Sequence, residues 1–105
     1  MSKLVVLRWN EAEDGKLSAN SMIQKMEKKG CSCVSYTFSP GTDFPEHTHQ
    51  ENKFDCVISG KLVFKMFGEE VLLQAGDCLE VPSNTPHSAR VEGKEDLVLI
   101  DATRP

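Results

Sequence analysis

The three histidines of this chain, His47, His49 and His87, fall within two short segments. Successive side chains of a strand alternate between faces, so His47 and His49 are predicted to offer two imidazoles to a single ion. His87 follows a Gly-Asp pair, an apolar run and two prolines, an arrangement that could bring a third imidazole beside them. Three neutral imidazoles suit iron, zinc, nickel, manganese or copper and leave coordination positions open. Each histidine alone could be an ordinary surface or turn residue, but together they predict a site for one divalent transition metal.

The segments around the histidines have a defined spacing. They are Gly41-x5-His47-x-His49-x3-Lys53-x6-Gly60 and Gly76-x5-Pro82-x-Asn84-x2-His87. These segments resemble the two motifs of the cupin family, at about residues 41–60 and 76–91, and the spacing between them suits its small RmlC-like members. The resemblance implies an all-β fold, an antiparallel jelly-roll β-barrel, whose motif residues line a pocket that usually holds a divalent metal.

Two positions depart from the family pattern. Lys53 stands where cupins usually have a metal-binding glutamate, and a charged ammonium has no lone pair with which to ligate. Lys53 therefore points away from the ion, binds a substrate carboxylate or oxyanion beside it, or marks a cupin that has lost its metal. Asn84 replaces a glycine, and asparagine tolerates the turn conformations that glycine supplies.

Three carboxylates lie near the motif residues. Asp55 has the same strand parity as Lys53, so if Lys53 faces the barrel interior Asp55 approaches it as well, and an acid there needs a partner. Glu51 is nearer to the histidines in sequence but is expected in a loop. Asp77 is expected to cap the turn before a strand.

The composition is that of one ordinary globular domain spanning residues 1–105. A net charge of −4 argues against a nucleic-acid partner, because phosphate binding relies on clustered lysines and arginines. The opening residues contain only four consecutive apolar side chains, so we expect no signal peptide or membrane span and a cytoplasmic protein. Reduced thiols are then expected for the four cysteines, as small buried hydrophobes.

The chain reads as short strands separated by turns. Segment 18–29 is ambiguous: Met22, Ile23 and Met26 have helical spacing, Asn20 could cap a helix and Gly30 could end it. The cupin resemblance favours a strand there, and we follow it. Residues 10–15 are expected to form a loop. Strands are predicted at about 4–9, 31–39, 47–49, 53–58, 61–67, 70–73, 77–81, 87–91 and 97–102.

The leading functional hypothesis is a metal-dependent enzyme that acts on a small organic anion, with oxygenase-type (dioxygenase-like) or isomerase/lyase-type chemistry. Lys53 is its candidate catalytic residue, near the open coordination positions. The alternative is a non-catalytic module that binds or senses a small ligand. A homodimer is expected, because the apolar edge at residues 4–7 needs covering.

Overall fold

The computed structural model describes residues 3–105, and within them the chain forms nine strands and two helices. The elements, in chain order, are β1 (Val6–Arg8), α1 (Glu11–Asp14), α2 (Ala19–Lys28), β2 (Ser32–Phe38), β3 (Asp43–His47), β4 (Lys53–Ser59), β5 (Lys61–Met66), β6 (Glu69–Leu73), β7 (Asp77–Val81), β8 (His87–Glu92) and β9 (Leu97–Thr103). Within residues 3–105, no helix is long and apolar enough to cross a membrane.

The strands form two antiparallel sheets, which confirms the all-β jelly-roll prediction. The five-stranded sheet has the order β1-β7-β4-β9-β2, and the four-stranded sheet has the order β3-β8-β5-β6. Strands that are distant in sequence are neighbours, so residues near 54 and 101 meet in the middle of one sheet. Non-local pairing of this kind is what brings the two sequence motifs together.

Each sheet strand carries two faces with different surroundings. The side chains that point between the sheets form one core, which includes Val57, Leu62, Leu79 and Leu97. The outer face of the five-stranded sheet is covered by α2. That second core contains Met22, Met26, Cys31, Phe54, Cys56, Cys78, Ile100 and Ala102.

The strand predicted for residues 18–29 is wrong, because this segment is helix α2. Ser18 caps it: its hydroxyl accepts a hydrogen bond from the Ser21 amide, and the Ser21 hydroxyl accepts one from the Ser18 amide. Met22 and Met26, one turn apart, are buried against the sheet. The helix ends before Gly30, whose φ of 89° is a left-handed conformation that glycine adopts at little cost. The helical spacing was therefore the better guide than the family resemblance.

Smaller differences concern element ends. The predicted loop at 10–15 contains the one-turn helix α1, capped by the Asn10 side chain. Strand β1 is shorter than the predicted 4–9. Gly60, which closes the first motif, has a φ of 84°, and a Cβ there would lie 2.5 Å from the Asp96 carbonyl oxygen. This turn requires glycine both for its backbone conformation and for space.

Candidate metal centre and its cavity

The three histidines lie at one end of the barrel, on elements of the four-stranded sheet and the loop beside it. His47 is the last residue of β3 and His87 the first of β8, and the two are opposite each other in the sheet register. The strand predicted at 47–49 is placed too late, because β3 spans Asp43–His47 and His49 lies in the following loop. Loop geometry, and not the strand alternation that was predicted, therefore brings His49 beside His47.

The geometry of the cluster fits a single ion. One ring nitrogen from each histidine lies within 4.8 Å of the others, and the Nε2 atoms of His47 and His49 are 3.1 Å apart. Two imidazole nitrogens that each lie about 2.0–2.1 Å from one ion, at tetrahedral or octahedral angles, are separated by about 2.8–3.4 Å. The His47–His49 separation falls in that interval. The donor set and its spacing suggest a metal ion, with no preference for one transition metal.

Backbone carbonyls orient two of the imidazoles. The Nδ1 of His47 lies 2.8 Å from the Pro45 carbonyl oxygen, and the Nδ1 of His87 lies 2.8 Å from the Thr85 carbonyl oxygen. In both rings Nδ1–H is the donor, so the proton sits on Nδ1 and the Nε2 lone pair is free. This is the tautomer and the outer hydrogen bond that metal-binding histidines typically have.

The surroundings also favour the neutral form of two imidazoles, those of His49 and His87. Burial lowers the pKa of His49, and the charge of Lys53 lowers it further. Burial likewise lowers the pKa of His87, against the opposing effect of its bond to Thr85. A neutral imidazole is the form that binds a metal, so protons compete weakly for these two nitrogens at neutral pH.

The loops that carry the ligands are tied to each other. The amide of Asn84 donates a 2.6 Å hydrogen bond to the carbonyl oxygen of His49, which joins the second motif to the first. Asn84 has a φ of 56°, which is a left-handed conformation. Asparagine tolerates this conformation, as expected at a position where glycine is usual. Ser83 donates from its amide to the side chain of Asn52, 2.9 Å away.

A cavity of about 220 Å³ opens beside the histidines. Aromatic and aliphatic side chains form most of its wall, and Phe64 stacks on His87 with ring centroids 5.4 Å apart. The lining residues are Tyr36, Phe38, Phe44, His47, His49, Asp55, Leu62, Phe64, His87, Ala89, Leu99 and Asp101. The cavity is thus apolar with a few polar groups, the usual character of a small-ligand site.

Lys53 occupies a different position from the histidines. Its ammonium donates a 3.0 Å hydrogen bond to Oδ2 of Asp101, and it is not among the residues that line the cavity. Glu51 is exposed in the loop after His49 and does not join the histidine cluster. Asp77 is a turn residue, as expected: its carboxylate accepts from the Gln74 amide and from Arg8.

Sequence reasoning found Asp55 as a candidate but missed Asp101. Leu97, Leu99 and Asp101 alternate along β9, so strand parity places Asp101 on the interior face with them. That signal was present in the sequence. Sequence reasoning could not supply the pairing of β9 with β4, which places Asp101 opposite Asp55.

The comparisons with known proteins agree with this geometry. The sequence profile of the cupin domain family matches residues 34–103. The chain is 40% identical over 53 residues to quercetin 2,3-dioxygenase of Bacillus subtilis, an alignment that covers 50% of this chain and 16% of that protein. The chain therefore spans only about a sixth of the length of this curated relative.

Solved structures show the same fold. An RmlC-like cupin from Shewanella frigidimarina superposes with a TM-score of 0.64 at 27% identity, over 71% of this chain and 66% of that one. A cupin superfamily protein from Desulfitobacterium hafniense superposes with a TM-score of 0.64 at 13% identity, over 97% of this chain and 77% of that one. At the latter identity the likeness concerns the fold alone.

Proposed function

Since this chain belongs to the cupin family, we propose that it is a metal-dependent enzyme of oxygenase type that acts on a small organic anion. His47, His49 and His87 bind one divalent transition metal. The observation that carries the proposal is the convergence of their three ring nitrogens beside a small apolar cavity. The partial likeness to a quercetin dioxygenase supports the reaction class. A bound ion would supply Lewis acidity and open coordination positions.

The charges around the cavity support an anionic ligand. Lys53 and Asp101 form an ion pair, so their charges cancel. Burial, followed by the charge of Asp101, raises the pKa of Asp55 to about 7, so Asp55 is only partly ionised at neutral pH. An ion held by three neutral imidazoles then keeps its full positive charge, which favours an anion such as an enolate or a thiolate. In this proposal Lys53 acts through Asp101 and does not touch the ligand.

Metal analysis tests the ligand set. Untagged protein is needed, since metal from an affinity column would occupy the same histidines. We expect about one ion per chain, and each of His47→Ala, His49→Ala and His87→Ala should lose more affinity than the about 10–100-fold typical of removing an outer partner. Thr48→Ala, an exposed neighbour, is the matched control. Parent-like binding by all three histidine variants would refute the site.

Turnover is tested separately. The iron-loaded protein is screened in an oxygen electrode with an enolic flavonol, a β-dicarbonyl acid and a small thiol. Oxygen consumption that stops on chelation supports an oxygenase. Silence with every reconstituted metal, alongside ligand binding that survives chelation, would instead favour the non-catalytic ligand-binding module.

We also propose that the chain forms a homodimer through the β1 edge of the five-stranded sheet. Strand β1 pairs with β7 alone, and Val5 and Leu7 are 46% and 43% exposed. An unpaired edge with apolar side chains favours association with a second copy. Sedimentation at micromolar concentration should show a dimer that Leu7→Lys dissociates, and a monomeric parent would contradict this part of the proposal.

A further inference from the structure

The cavity has two chemically different walls. The histidines come from β3, β8 and the loop after β3, whereas Asp55 and Asp101 come from β4 and β9 of the other sheet. Asp55 and Asp101 are direct register partners, so their side chains leave adjacent strands on the same face. Two carboxyl groups therefore share the wall beside the candidate metal centre.

The two carboxyls have unequal partners. Oδ2 of Asp101 accepts a charge-assisted hydrogen bond from the Lys53 ammonium, 3.0 Å away. Oδ1 of Asp101 is buried and, among residues 3–105, has no hydrogen-bond partner. A buried acceptor of this kind needs a donor, and an ionised carboxylate beside it supplies none. A protonated Asp55 on the adjacent strand, or a ligand hydroxyl, would supply such a donor.

The other neighbours add no charge to this pair. Leu79 of β7 lies opposite Asp55, and Val34 of β2 lies opposite Asp101. The charged groups that act on Asp55 are thus Asp101, which favours its protonated form, and Lys53, which opposes it. On the other wall the charge of Asp101 reaches His49, where it raises the pKa against the larger effect of burial.

We propose that Asp55 and Asp101 form a proton-holding carboxyl pair in which Asp55 is the catalytic acid–base group of the cavity and Asp101 is held by Lys53. The pair rests on the carboxyl geometry alone, but its catalytic use rests on the proposed function. In its ionised form Asp55 accepts the proton of an enolic O–H of the substrate, or of a C–H next to a carbonyl. A new O–H bond forms on Asp55, and the electron pair of the broken bond stays on the substrate as an enolate.

The reverse transfer returns the proton to the same atom or to a different carbon, and Asp55 is ionised again. A group that is partly protonated at the working pH serves both directions. Lys53 is a positioning residue in this scheme, because it acts on Asp55 through Asp101. Unequal surroundings that separate the pKa values of two neighbouring acids are a recurring way to divide such roles.

The test is a carbon-detected NMR titration of protein labelled at the aspartate carboxyl carbons, in metal-free and zinc-loaded forms. One carboxyl should titrate near pH 7, and its signal should be absent in Asp55→Asn. Asp101→Asn should lower that pKa, because the negative charge that raises it is removed. Lys53→Met should raise it. Asp43→Asn, an exposed aspartate on β3, should change nothing.

The Asp101→Asn and Lys53→Met shifts test the pair even if Asp55→Asn fails to fold. In the zinc-loaded protein, Asp55→Asn should keep the metal content of the parent. With a turned-over substrate, it should lose the limb of the pH–rate profile that lies near 7. Ordinary acidic titration of every aspartate, with metal bound, would overturn the pair and leave the proposed function standing. Titration of one carboxyl near pH 7 in a protein that binds no metal would support the pair and overturn the proposed metal-dependent function.

Discussion

The two faces of β4 and β9 are built from the same strands yet have opposite characters. The inner face presents Lys53, Asp55 and Asp101 to the cavity end of the barrel, whereas the outer face presents Phe54 and Ile100 to α2. Residues that are adjacent in sequence therefore experience very different surroundings. Because side chains alternate between the two faces of a strand, an ionisable residue on the inner face can be the direct neighbour in sequence of an apolar residue on the outer face.

Helix α2 covers the outer face of the five-stranded sheet, and the buried thiols there are unreactive. Cys56 lies opposite Cys78 on β7, and the Cys78 thiol contacts the Met22 sulfur at 3.6 Å. The hydrogen bond with Cys78, together with burial, raises the pKa of the Cys56 thiol, so it stays protonated at neutral pH. All four cysteines are free; Cys31, Cys56 and Cys78 are buried as expected, whereas Cys33 is half-buried. We therefore infer that the outer face contributes mainly to the stability of the fold and that the inner face holds the candidate functional groups.

The largest expected effect on stability comes from opening the outer core. Met22 is 1% exposed, and Met22→Ala should lower the free energy of unfolding by about 2–5 kcal/mol. Denaturant unfolding measures the loss, with the exposed Gln24→Ala on the same helix as control. The metal affinity of the folded fraction should not change. A loss confined to metal affinity, with stability intact, would reverse the assignment of the two faces.

A smaller effect, of opposite sign, is expected on the inner face. Asp55 titrates near 7 when folded and near 3.8 when unfolded, so between these values the folded chain binds more protons and stability falls as pH rises. Asp55→Asn removes this dependence and should stabilise the protein by up to about 4 kcal/mol at pH 8 relative to pH 4. Thermal unfolding across this range measures it, with Asp43→Asn as control. A pH-independent difference would mean that Asp55 does not ionise in this range.

Sequence reasoning predicted the histidine cluster because the three histidines lie in compact motifs. The spacing of His47, His49 and His87 predicted a cluster that the fold brings together, and the left-handed Asn84 was anticipated from its residue type. The same spacing says nothing about Asp101, since its position opposite Asp55 depends on a strand pairing across 46 residues of sequence. A short sequence pattern predicts the local geometry of its own residues, whereas the order of the strands in a sheet depends on the whole chain.

The position of Lys53 illustrates the same limit. Strand parity predicted that it would share a face with Asp55, and the register confirms this placement. The sequence left open whether the ammonium points away from the ion, binds a substrate anion beside it or marks a cupin without metal, and the structure places it 3.0 Å from Oδ2 of Asp101. Helix α2 shows the converse, because its methionine spacing was visible in the sequence and the family pattern was preferred over it. The predicted cap, Asn20, is wrong, since Asn20 lies inside the helix and Ser18 caps it.

The smallest expected effect tests whether the two faces are independent. The Ser18 hydroxyl accepts from the Ser21 amide at 3.0 Å and caps the helix that covers the outer face. Ser18→Ala should therefore lower the free energy of unfolding by about 1 kcal/mol. Ser18→Asp should restore it, because a carboxylate accepts the same bond and interacts favourably with the helix N-terminus. Denaturant unfolding and metal titration are measured together. Ser18 contacts only the first turn of α2, so the metal affinity and the pKa of Asp55 should match those of the parent. A change in either would show that α2 transmits strain through the sheet to the cavity.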